Sequence, residues 1–499
     1  KFMVKKIIIA CSILFVLSFF RIAPVVYKGY APTGLHENII LARNLAVSGK
    51  YSIENQKNVI LSSSKIAQEG VVSTFGNKLT IYIYSFIFKI LGFSPNLPFY
   101  ASVLMFAFSA VLIFLIIFEI FGNFWLAATA SSLDLFMPFV WKGSLFAGAY
   151  EFAVVFFLLG LLLYIKWRSK NPYVLVLSGL FFGLAIASRN AFLFSVLAIA
   201  FYEFYRTRKW KWAVFVAAPA LAVFLLLGAL NNSYVKSTDE SFTRYGHLFP
   251  DPYTYHFEKD EYIKDVALSS NDPEFVEFLA KYGYSVPLSK TIRVYAWSFI
   301  FYIKESFSLI NFGGPLFVFL AFFGAVMLYK EKREWFAFCV FWLSLLYLGL
   351  ILLKTNNWDH FLEIRPIIIL FISFAVWKII GIFKIYFSQK KSVLLSAVFV
   401  SLLAFQLFYT NKWLFHQDYE ASFMPKANLI IDNLKKRGLS KEDVIAVDHN
   451  QNAPAILNYY TDLSFVYFSP ETLEKLEEKG NLQDVLKKFG VTYLIRDEK

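Results

Sequence analysis

The chain has 499 residues, of which 58% are hydrophobic and only 17% charged. Soluble domains carry about a quarter charged residues, so this balance excludes an ordinary soluble enzyme and points to lipid as the solvent. The formal charge of +13 does not argue for nucleic acid, because Lys and Arg collect in short loops between apolar runs, as the positive-inside rule requires.

Cys11 and Cys339 both fall within apolar runs, which leaves no disulfide framework. The first apolar run, Lys6 to Tyr27, is too long for a signal peptide and lacks a small-residue cleavage site, so it reads as an anchored first span. Further on, basic clusters occur at Lys166, Arg168 and Lys170, then at Arg206, Arg208, Lys209 and Lys211. Two more lie at Lys330, Lys332 and Arg333 and at Lys384, Lys390 and Lys391. Pairs of apolar runs separate these clusters, so all four fit on the cytoplasmic face together with Lys5 and Lys6.

A span needs about 20 apolar residues. The stretch Leu79 to Leu91 is shorter, and counting it as a crossing would break the charge rule, so it is expected to lie in the membrane plane. About eleven spans remain, near 7–27, 98–119, 123–139, 150–167, 172–188, 190–205, 212–231, 309–329, 335–353, 364–384 and 393–410. The expected architecture is therefore an α-helical polytopic membrane protein, residues 1–410, with outer loops at 28–98 and 232–308 and interfacial helices in the first of them. The N-terminus is expected in the cytoplasm. Residues 411–499 read as a small extracytoplasmic α/β domain: a helix at Pro425–Lys436, strands at Asp443–Asp448, Ser464–Tyr467 and Val491–Ile495, a helical turn at Ala453–Tyr459, and two helices within Pro470–Phe489.

Ionisable residues at span ends are costly and so mark functional candidates. After the first span, His36 and Glu37 precede the helical pattern Ile39 to Leu45; a carboxylate there can take a proton from a hydroxyl, or can simply favour the helix dipole. Pro138 to Glu151 is a short outward turn rich in small residues, with Lys142 inside it and Glu151 opening the next span as a ligand or as a first-turn cap. Arg189 sits between two spans, where it can clamp a phosphate or snorkel. Asp359 to Pro366 lies at the entry to a late span, where His360 and Arg365 can neutralise a leaving phosphate, or Glu363 and Arg365 are ordinary interfacial charges. Asp134 lies within a span and has an available role as a hydrogen-bond partner of a neighbouring helix.

With these residues in order, the chain resembles the membrane glycosyltransferases of the C superfamily, which include protein O-mannosyltransferases, the lipid A aminoarabinose transferase and the oligosaccharyltransferase catalytic subunit. Ala42-Arg43-Asn44-Leu45 and Gly49-Lys50-Tyr51 match the family's helix and turn after the first span, although the family's leading Asp falls near Gly34 or Leu35 and only Glu37 is close. Ala147-Gly148-Ala149-Tyr150-Glu151 is similar to the oligosaccharyltransferase turn ending in Ala-Gly-x-Tyr-Asp, and Gly183-Leu184-Ala185 precedes Arg189 as in the family. The family's late Arg-Tyr and Pro pattern appears as His360-Phe361 and Pro366, with its Arg replaced.

The resemblance implies an inverting transfer of a sugar from a polyprenyl- or dolichyl-phosphate donor to a hydroxyl of a lipid, glycan or protein acceptor, on the outer face of the bilayer. It implies Glu37, with His36 beside it, as the base, and Arg189, His360, Lys142 and Arg365 as ligands of the donor phosphate. In some relatives the acid at the position of Glu151 binds a divalent metal such as Mg or Mn, and others need none. A transporter or flippase of lipid-linked or polar solutes, or a non-catalytic relative, is the competing reading; long outer loops and the absence of an internal repeat weigh against a transporter.

Overall fold

A computed structural model describes residues 2–27, 37–49, 78–138, 140, 143, 150–168, 172–234, 295–296, 299–304, 313–353, 361–420, 424–439, 443–448, 457, 461, 463–468, 470–478, 480–488 and 490–496. It is mostly helical. In chain order the helices of the larger part are α1 Phe2–Tyr27, α2 Glu37–Ser48, α3 Lys78–Leu91, α4 Leu97–Phe121, α5 Phe124–Phe136 and α6 Tyr150–Trp167. They continue with α7 Pro172–Ser188, α8 Phe192–Thr207, α9 Trp210–Tyr234, α10 Pro315–Glu331, α11 Arg333–Leu353, α12 Phe361–Tyr386 and α13 Gln389–Glu420.

Six of the described helical stretches are long and apolar enough to cross a membrane: Leu97–Phe121, Tyr150–Trp167, Trp210–Gly228, Arg333–Ile351, Leu362–Tyr386 and Gln389–Lys412. The protein is thus an integral membrane protein. At 1.5 Å rise per residue, the 25 residues of α4 reach about 37 Å, more than the hydrocarbon thickness. The helices are apolar on every side, so burial between helices and exposure to lipid are not separable from pattern alone. Phe20, Phe319, Phe322 and Phe405 are exposed and Phe114, Phe157 and Phe182 are buried; the abundant Phe fills both roles.

Sharp turns set the antiparallel order. α4 ends at Gly122, whose φ of 65° closes the helix, and Asn123 then caps α5 by accepting the Leu126 N–H at 3.0 Å. α6 and α7 pack together, α7 against α9, α4 against α1, α5 and α6, α8 against α9 and α11, and α12 against α5, α10 and α13. Small residues permit the closest approaches. A Cβ on Gly324 of α10 would collide with the Phe371 carbonyl of α12, and one on Gly349 of α11 would enter the Phe194 ring of α8.

One end of the bundle gathers basic residues. There Arg168 meets Glu334 at 2.6 Å, Arg206 meets Glu203 at 2.6 Å, and Lys378 meets Glu331 at 2.5 Å. Tyr164 donates to the buried Glu203 at 2.6 Å, and the Arg168 guanidinium covers the Trp335 ring at 4.4 Å. The opposite end carries the starts of α4, α6 and α12 and the turn between α7 and α8. The pair α2 and α3 joins that end through a cluster of Ile39, Leu41, Ala42, Leu45, Ile81, Tyr84, Phe88 and Phe152.

After α13 come α14 Met424–Arg437, β1 Val444–Val447, β2 Ser464–Tyr467, α15 Pro470–Glu478, α16 Leu482–Lys488 and β3 Val491–Ile495. The strands form a parallel sheet in the order β2-β1-β3, with Ile445 opposite Phe465 on one side and Tyr493 on the other. The central strand is fully buried, as a strand covered on both faces requires. Ala427, Ile430, Ile431 and Leu434 of α14 pack on Ile445, Val447 and Phe465.

Candidate functional site

Four segments meet at the end of the bundle opposite the basic cluster: α5 near its end, the start of α6, the turn after α7 and the first turn of α12. Each contributes a charge. Asp134 (α5), Glu151 (α6), Glu363 and Arg365 (α12) have at most 1% of their surface exposed, and Arg189 fills the turn between α7 and α8. Charges this deep persist only when paired.

Arg365 is held by Asp134 through both Nε and Nη2, and its Nη2 also donates to Ser109 Oγ at 2.9 Å. Two parallel N–H···O contacts between fork and carboxylate fix the plane of the guanidinium. Its carbon also stands 5.3 Å from the Phe106 ring centre. Neither partner has exposed surface. The Nε and Nη2 groups of Arg365 are therefore engaged by α5 and α4, while Nη1 is buried with no hydrogen-bond partner among the described residues.

Two residues earlier on α12, Glu363 accepts from Arg189 Nε at 2.7 Å. A separation of two places side chains on different sides of a helix, so α12 reaches α5 with one charge and the α7–α8 turn with the other. Arg189 lies over the ring of Tyr150, 3.5 Å from its centre, at the contact distance of a cation on an aromatic face. Arg189 keeps 11% of its side chain exposed, Glu363 none.

Glu151, next to Tyr150, receives a short hydrogen bond from the Tyr84 hydroxyl of α3. Tyr84 also lies 3.3 Å from the Pro98 carbonyl and packs edge-on against Phe152. Through this tyrosine the pair α2–α3 is tied to the start of α6. Glu37 opens α2, so the helix that begins with it packs beside this contact. Gly143 touches the first turn of α12; a Cβ there would come within 3.0 Å of Leu362.

The structure thus brings Glu151, Arg189 and the residue pair Glu363–Arg365 into one connected region. His36, Lys142 and His360 lie outside the described residues, as does most of the turn 139–149. Among the described residues no three His, Cys, Asp or Glu side chains gather as a metal would need, so they do not of themselves make up a ligand set around Glu151. Sequence reasoning named Glu363 only as an interfacial charge, quoted Tyr150 in a motif without giving it a role, and did not name Tyr84 or Ser109. A buried Arg at a turn was the available signal for Glu363, since it requires a carboxylate nearby.

No protein-family model matches the chain, and no curated protein matches its sequence. Solved structures do. The oligosaccharyltransferase of Archaeoglobus fulgidus, crystallised with Zn and sulfate, aligns with a TM-score of 0.56 at 13% identity, over 98% of this chain and 67% of its own. The same archaeal enzyme, AglB, with an inhibitory peptide and a dolichol-phosphate, gives 0.55 at 11% identity over 97% and 69%. ArnT of Cupriavidus metallidurans, bound to undecaprenyl phosphate, gives 0.52 at 11% identity over 98% and 90%. The chain has the fold of these membrane glycosyltransferases of the C superfamily.

Proposed function

We propose that the protein transfers a sugar from a polyprenyl-phosphate carrier to an acceptor hydroxyl, with inversion, at the end of the bundle where α4, α6 and α12 begin. The observation that carries this reading is the placement of Arg189: a guanidinium fixed on a ring and a carboxylate, on a side chain that keeps 11% of its surface exposed, in a fold whose solved members hold dolichol-phosphate and undecaprenyl phosphate. That end is the outer one, eleven helices cross the bilayer, and residues 1–410 form the catalytic module. Residues 411–499 form an extracytoplasmic domain that supports the site or docks the acceptor.

The chemistry follows from the groups. Glu37 takes the proton of the acceptor hydroxyl, whose oxygen attacks the anomeric carbon from the face opposite the phosphate. The bond from that carbon to the phosphate oxygen breaks, and its electron pair leaves with the polyprenyl phosphate. Arg189, with Lys142 and His360, takes the negative charge that develops on the leaving oxygen; a preorganised donor of this kind contributes roughly 3–4 kcal/mol. Arg365 is not assigned to this task, because Asp134 and Ser109 already engage its fork within the bundle. A divalent ion held by Glu151 would add a positive charge at that end of the bundle.

The test uses purified protein in lipid nanodiscs with a membrane extract of polyprenyl-phosphate sugars as donor pool. Release of free polyprenyl phosphate upon addition of acceptor glycans or lipids supports the reading, and its loss in Glu37→Gln assigns the base. Movement of the intact lipid-linked sugar between leaflets without such release would replace it with a transporter.

A further inference from the structure

Glu363 is wholly enclosed, and its observed ionic partner, Arg189, has the only exposed surface of the pair. The carboxylate therefore meets nothing that enters from outside except through the arginine. We infer that Glu363 is the positioning residue for Arg189: it holds the Nε edge of the guanidinium, while the Tyr150 ring supports one face, so that Arg189 is aimed before a phosphate arrives. This rests on the proposed role of Arg189 as a phosphate ligand.

The reasoning is geometric. A guanidinium on a flexible side chain has several rotamers, and each must be lost when it binds an anion. Contact with one edge at 2.7 Å and with one face at 3.5 Å removes both the swing of the chain and the spin of the plane. Arginine suits this arrangement because its five N–H groups lie in one fixed plane; an Nε–H given to one anion leaves the geometry of the Nη end defined for another. The support is anchored in turn. Glu363 stands on the first turn of α12, and Arg365 binds that turn to α5 through Asp134. The turn bearing Glu363 is therefore held from two sides, and Arg189 is fixed to it.

The same physics explains why the carboxylate has to remain enclosed. An exposed glutamate would compete for water and swing with the chain, whereas a buried one keeps a single position and feels its partner through a low local dielectric. A phosphate arriving at Arg189 then meets a cation that needs no reorganisation.

The experiment measures binding of undecaprenyl phosphate and of undecaprenol to the full chain in nanodiscs, for wild type, Arg189→Lys, which keeps the buried carboxylate beside a cation but removes the planar fork, Glu363→Asp and the double variant. Glu363→Asp keeps the buried charge, so the bundle folds, but withdraws the carboxylate by one methylene. The expected result is a loss of undecaprenyl phosphate affinity of about tenfold for Arg189→Lys and about tenfold for Glu363→Asp, with the double variant no weaker than Arg189→Lys alone. Undecaprenol binding should be the same in all four, which a merely structural effect would not leave untouched. If the two losses multiply, or if Glu363→Asp binds undecaprenyl phosphate as tightly as wild type, Glu363 does not act through Arg189. If wild type does not distinguish undecaprenyl phosphate from undecaprenol, the failure belongs to the phosphate role of Arg189 itself.

Discussion

Arg365 and Asp134 face each other across the interface of α12 and α5 with no exposed surface on either side chain. They lie 231 residues apart in the chain, and the contact locks the entry of α12 against the end of α5. A buried charge left alone is far more costly than a buried pair replaced as a unit.

Removing one partner should therefore be severe. Asp134→Ala or Arg365→Ala should destabilise the bundle by about 3–5 kcal/mol, while Asp134→Leu combined with Arg365→Met should be close to neutral. Thermal unfolding in detergent checks this, and single variants that unfold within a degree of wild type would contradict it.

The Tyr84–Glu151 hydrogen bond couples the α2–α3 pair to α6. Tyr84→Phe keeps the ring against Phe152 but removes the hydroxyl, leaving a buried carboxylate short of one donor. A loss of about 1–2 kcal/mol is expected. Hydrogen exchange should localise the effect to α2 and α3; uniform loosening of the whole bundle would show that the bond has no special place in that junction.

Two glycines give a paired test of packing. Gly324→Ala would drive a methyl into the Phe371 carbonyl and should cost about 3 kcal/mol by prising α10 from α12. Gly381→Ala on the same α12 meets nothing within 4 Å and should stabilise by up to about 1 kcal/mol through helix propensity. Equal melting temperatures for the two variants would refute this close approach.

In the tail, Arg496 donates to Glu477 at 2.5 Å and holds its carboxyl below the ordinary value of 4.5. A carboxyl depressed on folding contributes stability above its unfolded pKa and loses it as pH falls through the folded one. Both side chains are well exposed, so the effect is small. Its sign is nevertheless testable by circular dichroism of the tail signal. The small advantage of wild type over Arg496→Ala should hold at neutral pH and fade below pH 4.5; an advantage that grows with acid would invert the assignment.

How much of this was legible beforehand depends on whether the information is local. The helices were readable because continuous apolar runs and basic loops are properties of adjacent residues, and the expected start at residue 150 and end at 167 coincide with α6. Partners were not. Arg189 and Glu363 are separated by 174 residues and Tyr84 and Glu151 by 67, and nothing in the apolar pattern sets which helix faces which. One signal did exist. An Asp inside an apolar span requires a cation at the same depth, and Arg365 is among the few described cations far from the basic end. That requirement would have directed Arg365 to Asp134 instead of to a phosphate.

The most direct measurement is an experimental structure of the protein with undecaprenyl phosphate bound. The account places the phosphate within hydrogen-bonding distance of Arg189, beside Tyr150 and Glu151, with Arg189 still on Glu363 and the lipid tail between helices. A phosphate resting instead among Arg168, Arg206 and Lys378 at the other end of the bundle would contradict it.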